Sequence, residues 1–212
     1  MATPAKPPAV APKFYLASRS PRRRELLKQI GVAFEVILLR EQPARGPDVN
    51  EAALPGEKPD DYVRRIGKLK ADVGWDRVVQ RQLPRQPVLA ADTTVCVEEQ
   101  ILGKPVDRAD AARMLALLSG REHRVLTAVA LRYESRSKMA VNETLVRFRK
   151  LTDADIQAYI DSGEPMDKAG GYAIQGRAGM FIPELRGSYS GVMGLPLYET
   201  AQLIDTFRAE GG

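Results

Sequence analysis

Phe14-Tyr15-Leu16-Ala17-Ser18-Arg19-Ser20-Pro21-Arg22-Arg23-Arg24 reads as a strand that runs straight into the start of a helix. Phe14 to Ala17 is apolar, Ser20 suits an N-cap, Pro21 suits the first helical position, and Leu26, Leu27 and Ile30 then recur at helical spacing. A helix start carries free backbone N–H groups and a partial positive charge, and here two serine hydroxyls and four arginines surround it. Two readings fit: a seat for a polyanion such as a nucleotide phosphate chain, or an ordinary capped surface helix with a basic face.

The neighbouring sequence continues the alternation. Gly31 caps the helix and Phe34 to Leu39 predicts a second strand. Residues 40–58 form a long loop around Asp48-Val49-Asn50-Glu51, and Pro59 to about Val73 has helical spacing with Lys70 beside its apolar stripe. Val88 to Val97 is an almost wholly apolar strand interrupted by Asp92. Asp107 caps a helix that closes at Gly120, and an antiparallel hairpin is expected near 123–133 and 138–148. Thr152 and Asp155 form a capping box for a helix to about Ser162. From Gly163 to Gly194 eight glycines favour loops and short strands such as Gly179 to Ile182, and Pro196 opens a last helix through Phe207. This order predicts an α/β fold with a mixed sheet. Residues 1–13, rich in Pro and Ala, are expected to be a disordered lead-in to a single domain over 14–208.

Composition narrows the function. The 212 residues carry a net charge of +5, which suits an anionic ligand without separating nucleotide from nucleic acid. One cysteine and one histidine exclude a disulfide framework and multi-histidine metal sites, which leaves oxygen-ligated cations if a metal is used. A reducing, cytoplasmic setting is expected, and no apolar run approaches a membrane span. Aromatic residues make up only 6%, mostly at core-like positions, so a nucleic-acid-binding or cell-division regulatory role, the rival from another class, is poorly supported.

Several residues carry chemistry. An ionised Asp92 inside an apolar strand needs a lysine or a metal nearby, unless it caps a neighbouring loop. Lys104 in Gly103-Lys104-Pro105 is a point charge suited to phosphate or a solvated turn lysine. Gln175, in a glycine-rich stretch with Asp167 and Lys168, can read a base edge or merely brace its turn. Thr93 offers a hydroxyl or β-propensity. Ser188-Tyr189-Ser190 can touch phosphate or decorate a loop. Glu35, Glu51 and Asp92 together make a conceivable oxygen-only site for Mg²⁺ or Mn²⁺. His123 reads as a core histidine, Cys96 as a buried small hydrophobe, and the arginines at 77, 81 and 85 as a solvated face.

Together, Ser18-x-Ser20-Pro21-Arg22-Arg23, Phe34-Glu35-Val36, Lys70-Ala71, Ala91-Asp92-Thr93, Ile101 to Pro105, Gly163-Glu164-Pro165, Asp167 to Gly170 and Ile174-Gln175-Gly176 resemble the Maf family of nucleoside triphosphate pyrophosphatases. Gly187 to Ser190 and Gly194-Leu195-Pro196 extend the resemblance, which runs from about residue 14 to 205. It implies a two-lobed body around a twisted mixed sheet, shaped like the inosine triphosphate pyrophosphatases, and metal-dependent hydrolysis between the α and β phosphates. Within it Asp92 is the proton acceptor for the attacking water. Ser18, Ser20, Arg23, Lys70, Lys104 and Lys168 contact substrate, and Glu35 and Glu51 join Asp92 as metal ligands. Arg22, Thr93 and Gln175 match the places that mark the branch acting on dTTP and UTP; modified pyrimidine nucleotides and, in a sister branch, 7-methyl-GTP are the alternatives. A homodimer is the assembly considered. The chain departs from the family pattern at Asn50, where Asp is usual, and at Gly67, Ala128, Ala173 and Gly191, which stand for Ala, Gly, Gly and Asn.

Overall fold

The computed structural model describes residues 13–40 and 46–210, so the expected lead-in lies outside the described residues apart from Lys13. In chain order the regular elements are β1 (Phe14–Leu16), α1 (Pro21–Gln29), β2 (Phe34–Val36), α2 (Pro59–Gln80), β3 (Val88–Val97) and β4 (Gln100–Leu102). There follow α3 (Arg108–Leu118), β5 (Glu122–Tyr133), β6 (Arg136–Arg147), α4 (Asp153–Asp161), β7 (Glu184–Arg186), α5 (Tyr189–Val192) and α6 (Leu197–Ala209). The strands form one seven-stranded sheet in the order β2-β1-β3-β5-β6-β7, with β4 also on β3. Pairing is parallel among β2, β1 and β3 and antiparallel elsewhere, which is the mixed sheet that the alternation predicts.

Three expected boundaries change. β2 stops at Val36 instead of reaching Leu39, because β1 ends at Leu16 and offers no further partner beyond the Ile37 N–H to Leu16 O bond of 3.0 Å. The helix expected to end near Val73 runs on to Gln80, its apolar stripe continuing through Trp75 and Val78. Gly74 does not break it. A Cβ at that position would come within 2.7 Å of Val88 Cγ1 and 3.0 Å of Ala17 Cβ, so glycine lets the helix lie close on the sheet. Gly179 to Ile182 is not a strand: Arg177–Phe181 is a 3-10 turn, and the strand follows Pro183 at β7.

A second close approach joins α2 to β5. A Cβ at Gly67 on α2 would meet the Ala128 Cβ on β5 at 3.0 Å, so this contact has room for one methyl group, which this chain puts on the strand. Gly67→Ala alone is expected to cost about 1 kcal/mol net, overpacking outweighing the gain in helix propensity. Gly67→Ala with Ala128→Gly should regain it, and urea denaturation midpoints of the four variants check the coupling.

The buried side chains form two bodies along the sheet. One packs α3 and α4 on the far half of β3 and β5, around Val95, Leu115, Val125 and Phe148. The other packs α1 and α6 on one face, around Leu16, Leu27, Leu89 and Ile204, and α2 on the opposite face, around Ala71, Trp75, Val88 and Ala90. Between them a small cluster of Val63, Cys96, Leu126 and Ala128 lies beside three buried polar side chains, Asp92, Thr94 and Thr127. The sheet also opens at this place. β1 pairs with β3 as far as Leu89 and β4 joins it only from Val95, so among the described residues no strand covers 90–94 on that side. A gap beyond the carboxyl end of a parallel strand is where open α/β sheets bind ligands.

Candidate active site

Side chains alternate along β3, so Asp92 points to the α2 face and Thr93 to the α1 face of the open edge. Asp92 is 5% exposed, and its Oδ1 accepts a hydrogen bond from Lys70 Nζ at 2.7 Å. The same ammonium stands 2.8 Å from Glu51 Oε1, so one cation neutralises two carboxylates. The residue expected beside a buried aspartate is therefore a lysine, delivered by α2. No protein donor among the described residues reaches Asp92 Oδ2, which leaves that oxygen for water.

Glu51 is held by its loop. Tyr62 of α2 donates to the Glu51 carbonyl at 2.9 Å and Arg65 to the Ala52 carbonyl at 3.0 Å. Arg65 also pairs with Glu57, whose pKa is held down to about 2 chiefly by that hydrogen bond. Asp48 anchors the other end, accepting from the Arg40 backbone N–H at 2.8 Å and pairing with Arg40 and Arg77. Its burial opposes ionisation, yet those bonds hold its pKa below the usual carboxylate range. Arg77 is thus a clamp rather than part of a solvated face. Asn50 spends its Oδ1 on the Ala52 N–H, 3.0 Å away.

On the α1 side Ser20 caps the helix as expected, accepting from the Arg23 N–H at 3.4 Å, and Ser18 Oγ accepts from the Ser20 N–H at 3.2 Å. Arg23 donates to the Gly194 carbonyl at 2.7 Å, to Thr93 Oγ1 at 3.2 Å and to Ser18 Oγ at 3.4 Å. All three acceptors are neutral. Burial lowers the pKa of this guanidinium, and the fields of Asp92 and Glu51 oppose the shift. A half-buried cation with neutral neighbours is prepared for an anion.

The far wall is stitched together by backbone. Gly170 N–H donates to the Gly103 carbonyl at 3.0 Å, joining the loop of exposed Lys104 to that of Lys168, whose Nζ donates to the Glu164 carbonyl at 2.7 Å and pairs with Asp167. Gly170 sits at φ +68 with Val95 against it, so no side chain fits there. With its amide oxygen turned to the guanidinium, Gln175 accepts from Arg22 Nη1 at 2.9 Å and Nε at 3.0 Å. That contact spans the gap between the α1 wall and the far wall.

The structure therefore gathers Asp92, Lys70 and Glu51; Ser18, Ser20, Arg23 and Thr93; and Arg22 with Gln175. Glu35 stands apart from these groups: it lies opposite Tyr15, which pairs with Val88, four residues along β3 from Asp92, and its partner is Lys13 at 3.7 Å. Among the described residues no group of three or more metal-ligating side chains forms. Ser188 and Ser190 spend their hydroxyl oxygens locally. Ser188 caps α5 through the Gly191 N–H, and Ser190 accepts from the Leu197 N–H, both at 3.0 Å. Thr127, not singled out from sequence, lies across from Thr93 and joins it (3.0 Å) to the Gly191 carbonyl (2.8 Å). Its signal was faint: a lone threonine in the apolar run of β5.

His123 and Cys96 belong to the core. Burial pushes the Cys96 thiol up to about 11. His123 Nε2 meets the Tyr172 hydroxyl at 2.7 Å, and burial lowers its pKa to about 3. Unfolded histidine takes its proton near 6.5, so between pH 6.5 and 3 the unfolded chain binds more protons and stability falls as pH falls. The expected loss from pH 8 to pH 5 is about 2 kcal/mol from this residue. His123→Phe, though less stable at pH 8, should lack that slope in denaturation measured across the range.

A buried carboxylate and a neighbouring acid bridged by one lysine, set at an open strand edge between two basic walls, define an α/β protein with a polyanion cleft. The family model described as "Maf-like protein" matches residues 13–207, and the chain belongs to that family. A Nitrosomonas europaea protein named dTTP/UTP pyrophosphatase is 56% identical over 191 residues, covering 90% of this chain and 92% of the relative. Proteins of the same name from Aromatoleum aromaticum and Dechloromonas aromatica are 56% and 52% identical, covering 92% and 91% of this chain and 95% and 96% of theirs.

Proposed function

We propose that this chain hydrolyses dTTP and UTP to the nucleoside monophosphate and pyrophosphate. The observation that carries the reading is the Asp92–Lys70–Glu51 constellation at the uncovered edge of β3. Asp92 accepts the proton of a water that attacks the α phosphorus in line. Ser18, Ser20, the α1 N-terminus, Arg23, Lys104 and Lys168 hold the phosphates. Asp92 and Glu51 are hard oxygen donors side by side, a set that fits Mg²⁺ or Mn²⁺, which takes one or two carboxylates and completes its shell with phosphate and water. Glu35 lies apart from that pair, beside Lys13. Such an ion supplies neutralisation of triphosphate charge when bound.

Base choice falls to Gln175. Its oxygen is occupied by Arg22, so it offers N–H donors, which match the carbonyl oxygens of uracil and thymine and leave the cytosine amino group without an acceptor. No helix among the described residues is long and apolar enough to cross a membrane, and we place the enzyme in the cytoplasm, where its triphosphates are made. A homodimer is part of the same reading, checked by sedimentation. Pyrophosphate release across UTP, dTTP, CTP and 7-methyl-GTP with Mg²⁺ or Mn²⁺ tests the substrate. UTP and dTTP are expected to lead CTP and 7-methyl-GTP at least about tenfold in kcat/KM. A clear preference for the methylated purine would place the chain in the sister branch.

A further inference from the structure

Gln175 can read a base only if its turn is held in place, and the residue that holds it stands eleven positions earlier. Glu164 Oε1 accepts from the Tyr159 hydroxyl at 2.9 Å, and its Oε2 accepts from the Arg177 backbone N–H at 3.1 Å. The Tyr159 oxygen in turn accepts from the Ala173 N–H at 3.3 Å. The carboxylate and the phenol thus grip residues 173 and 177, on either side of Gln175.

The grip is close-fitting. A Cβ at Gly176 would lie 2.0 Å from Glu164 Oε1, so only glycine leaves the carboxylate its seat. Among the described residues no lysine or arginine side chain pairs with that carboxylate; both of its bonds go to the Gln175 turn and the tyrosine that supports it. Charge-assisted bonds of this kind are stronger than neutral ones, which suits a brace on an exposed turn.

We infer that Glu164 is a positioning residue for base choice, fixing the turn that presents Gln175 through its bonds to Tyr159 and the Arg177 N–H. The inference rests on the reading of Gln175 as the base-reading group. The Glu164 carboxylate bonds to Tyr159 and the Arg177 N–H and not to Asp92 or to a side chain assigned to the phosphates, so its loss acts on recognition and spares the chemical step.

Steady-state pyrophosphate release from UTP and CTP tests this. Glu164→Ala is expected to raise KM for UTP about tenfold, to lower the preference for UTP over CTP to a similar degree, and to leave kcat within about twofold. Glu164→Gln keeps an oxygen for the Arg177 N–H and a partner for Tyr159, and should restore both parameters. Gly176→Ala evicts the carboxylate without removing it and should reproduce the alanine phenotype, which covers the case of a Glu164→Ala protein that fails to fold. Gln175→Ala, measured alongside, separates the two claims: if it abolishes the preference and Glu164→Ala leaves preference and KM untouched, the positioning role is wrong. If Gln175→Ala changes nothing, the underlying reading of Gln175 fails instead. An equal loss of kcat on every nucleotide in Glu164→Ala would also overturn the inference, since it would mark a general structural defect.

Discussion

Asp92→Asn is expected to lower turnover of UTP and dTTP by about a thousandfold or more while the thermal transition stays close to that of the parent chain. The geometry separates the two effects. Asparagine keeps an oxygen for Lys70 Nζ, which at 2.7 Å already holds Asp92, and Lys70 also keeps Glu51 at 2.8 Å, so the network survives the change. What disappears is the capacity to take a proton from water. Turnover within tenfold of the parent would remove Asp92 from its role, and rapid-quench measurement with saturating nucleotide keeps the comparison on the chemical step.

The second large effect falls on stability. Lys70 and Asp92 are both nearly enclosed, and Lys70→Met would leave a buried carboxylate without its cation and a second acid close by. Breaking such a pair costs about 3 kcal/mol or more, which for a chain of this size is a fall of roughly 6–12 °C in Tm. Replacing both partners in Lys70→Met with Asp92→Asn should recover part of the loss, since no uncompensated charge remains. Mg²⁺ or Mn²⁺ should raise the Tm of Lys70→Met more than that of the parent, because the two carboxylates then lack their own cation. A Tm for Lys70→Met within 2 °C of the parent would show that the bridge carries little stability.

The sequence made Asp92 legible because a charge in an apolar strand demands a partner, and made the α1 start legible because capping is a local code read from Ser20 and Pro21. It could not say which cation would meet Asp92. Lys70 and Asp92 lie 22 positions apart, and their meeting depends on how α2 crosses the sheet, a closeness that Gly67 and Gly74 permit. The place of Glu35 was hidden for the same reason. Its place in an apolar run resembles that of Asp92, but register puts it beside Tyr15, well short of the open edge. The expected helix stopped short, near Val73, whereas α2 continues through Gly74, where packing against Val88 and Ala17 governs. The roles of Thr127 and of Arg77 were hidden because both are set by tertiary contacts, across β3 and into the Glu51 loop.

The central claim, that this site directs water to the α phosphorus, is tested most directly by hydrolysing UTP in ¹⁸O-labelled water and weighing the products. The account predicts UMP and pyrophosphate in equal amounts, with the label in UMP. Label in pyrophosphate, or UDP and inorganic phosphate as products, would contradict it.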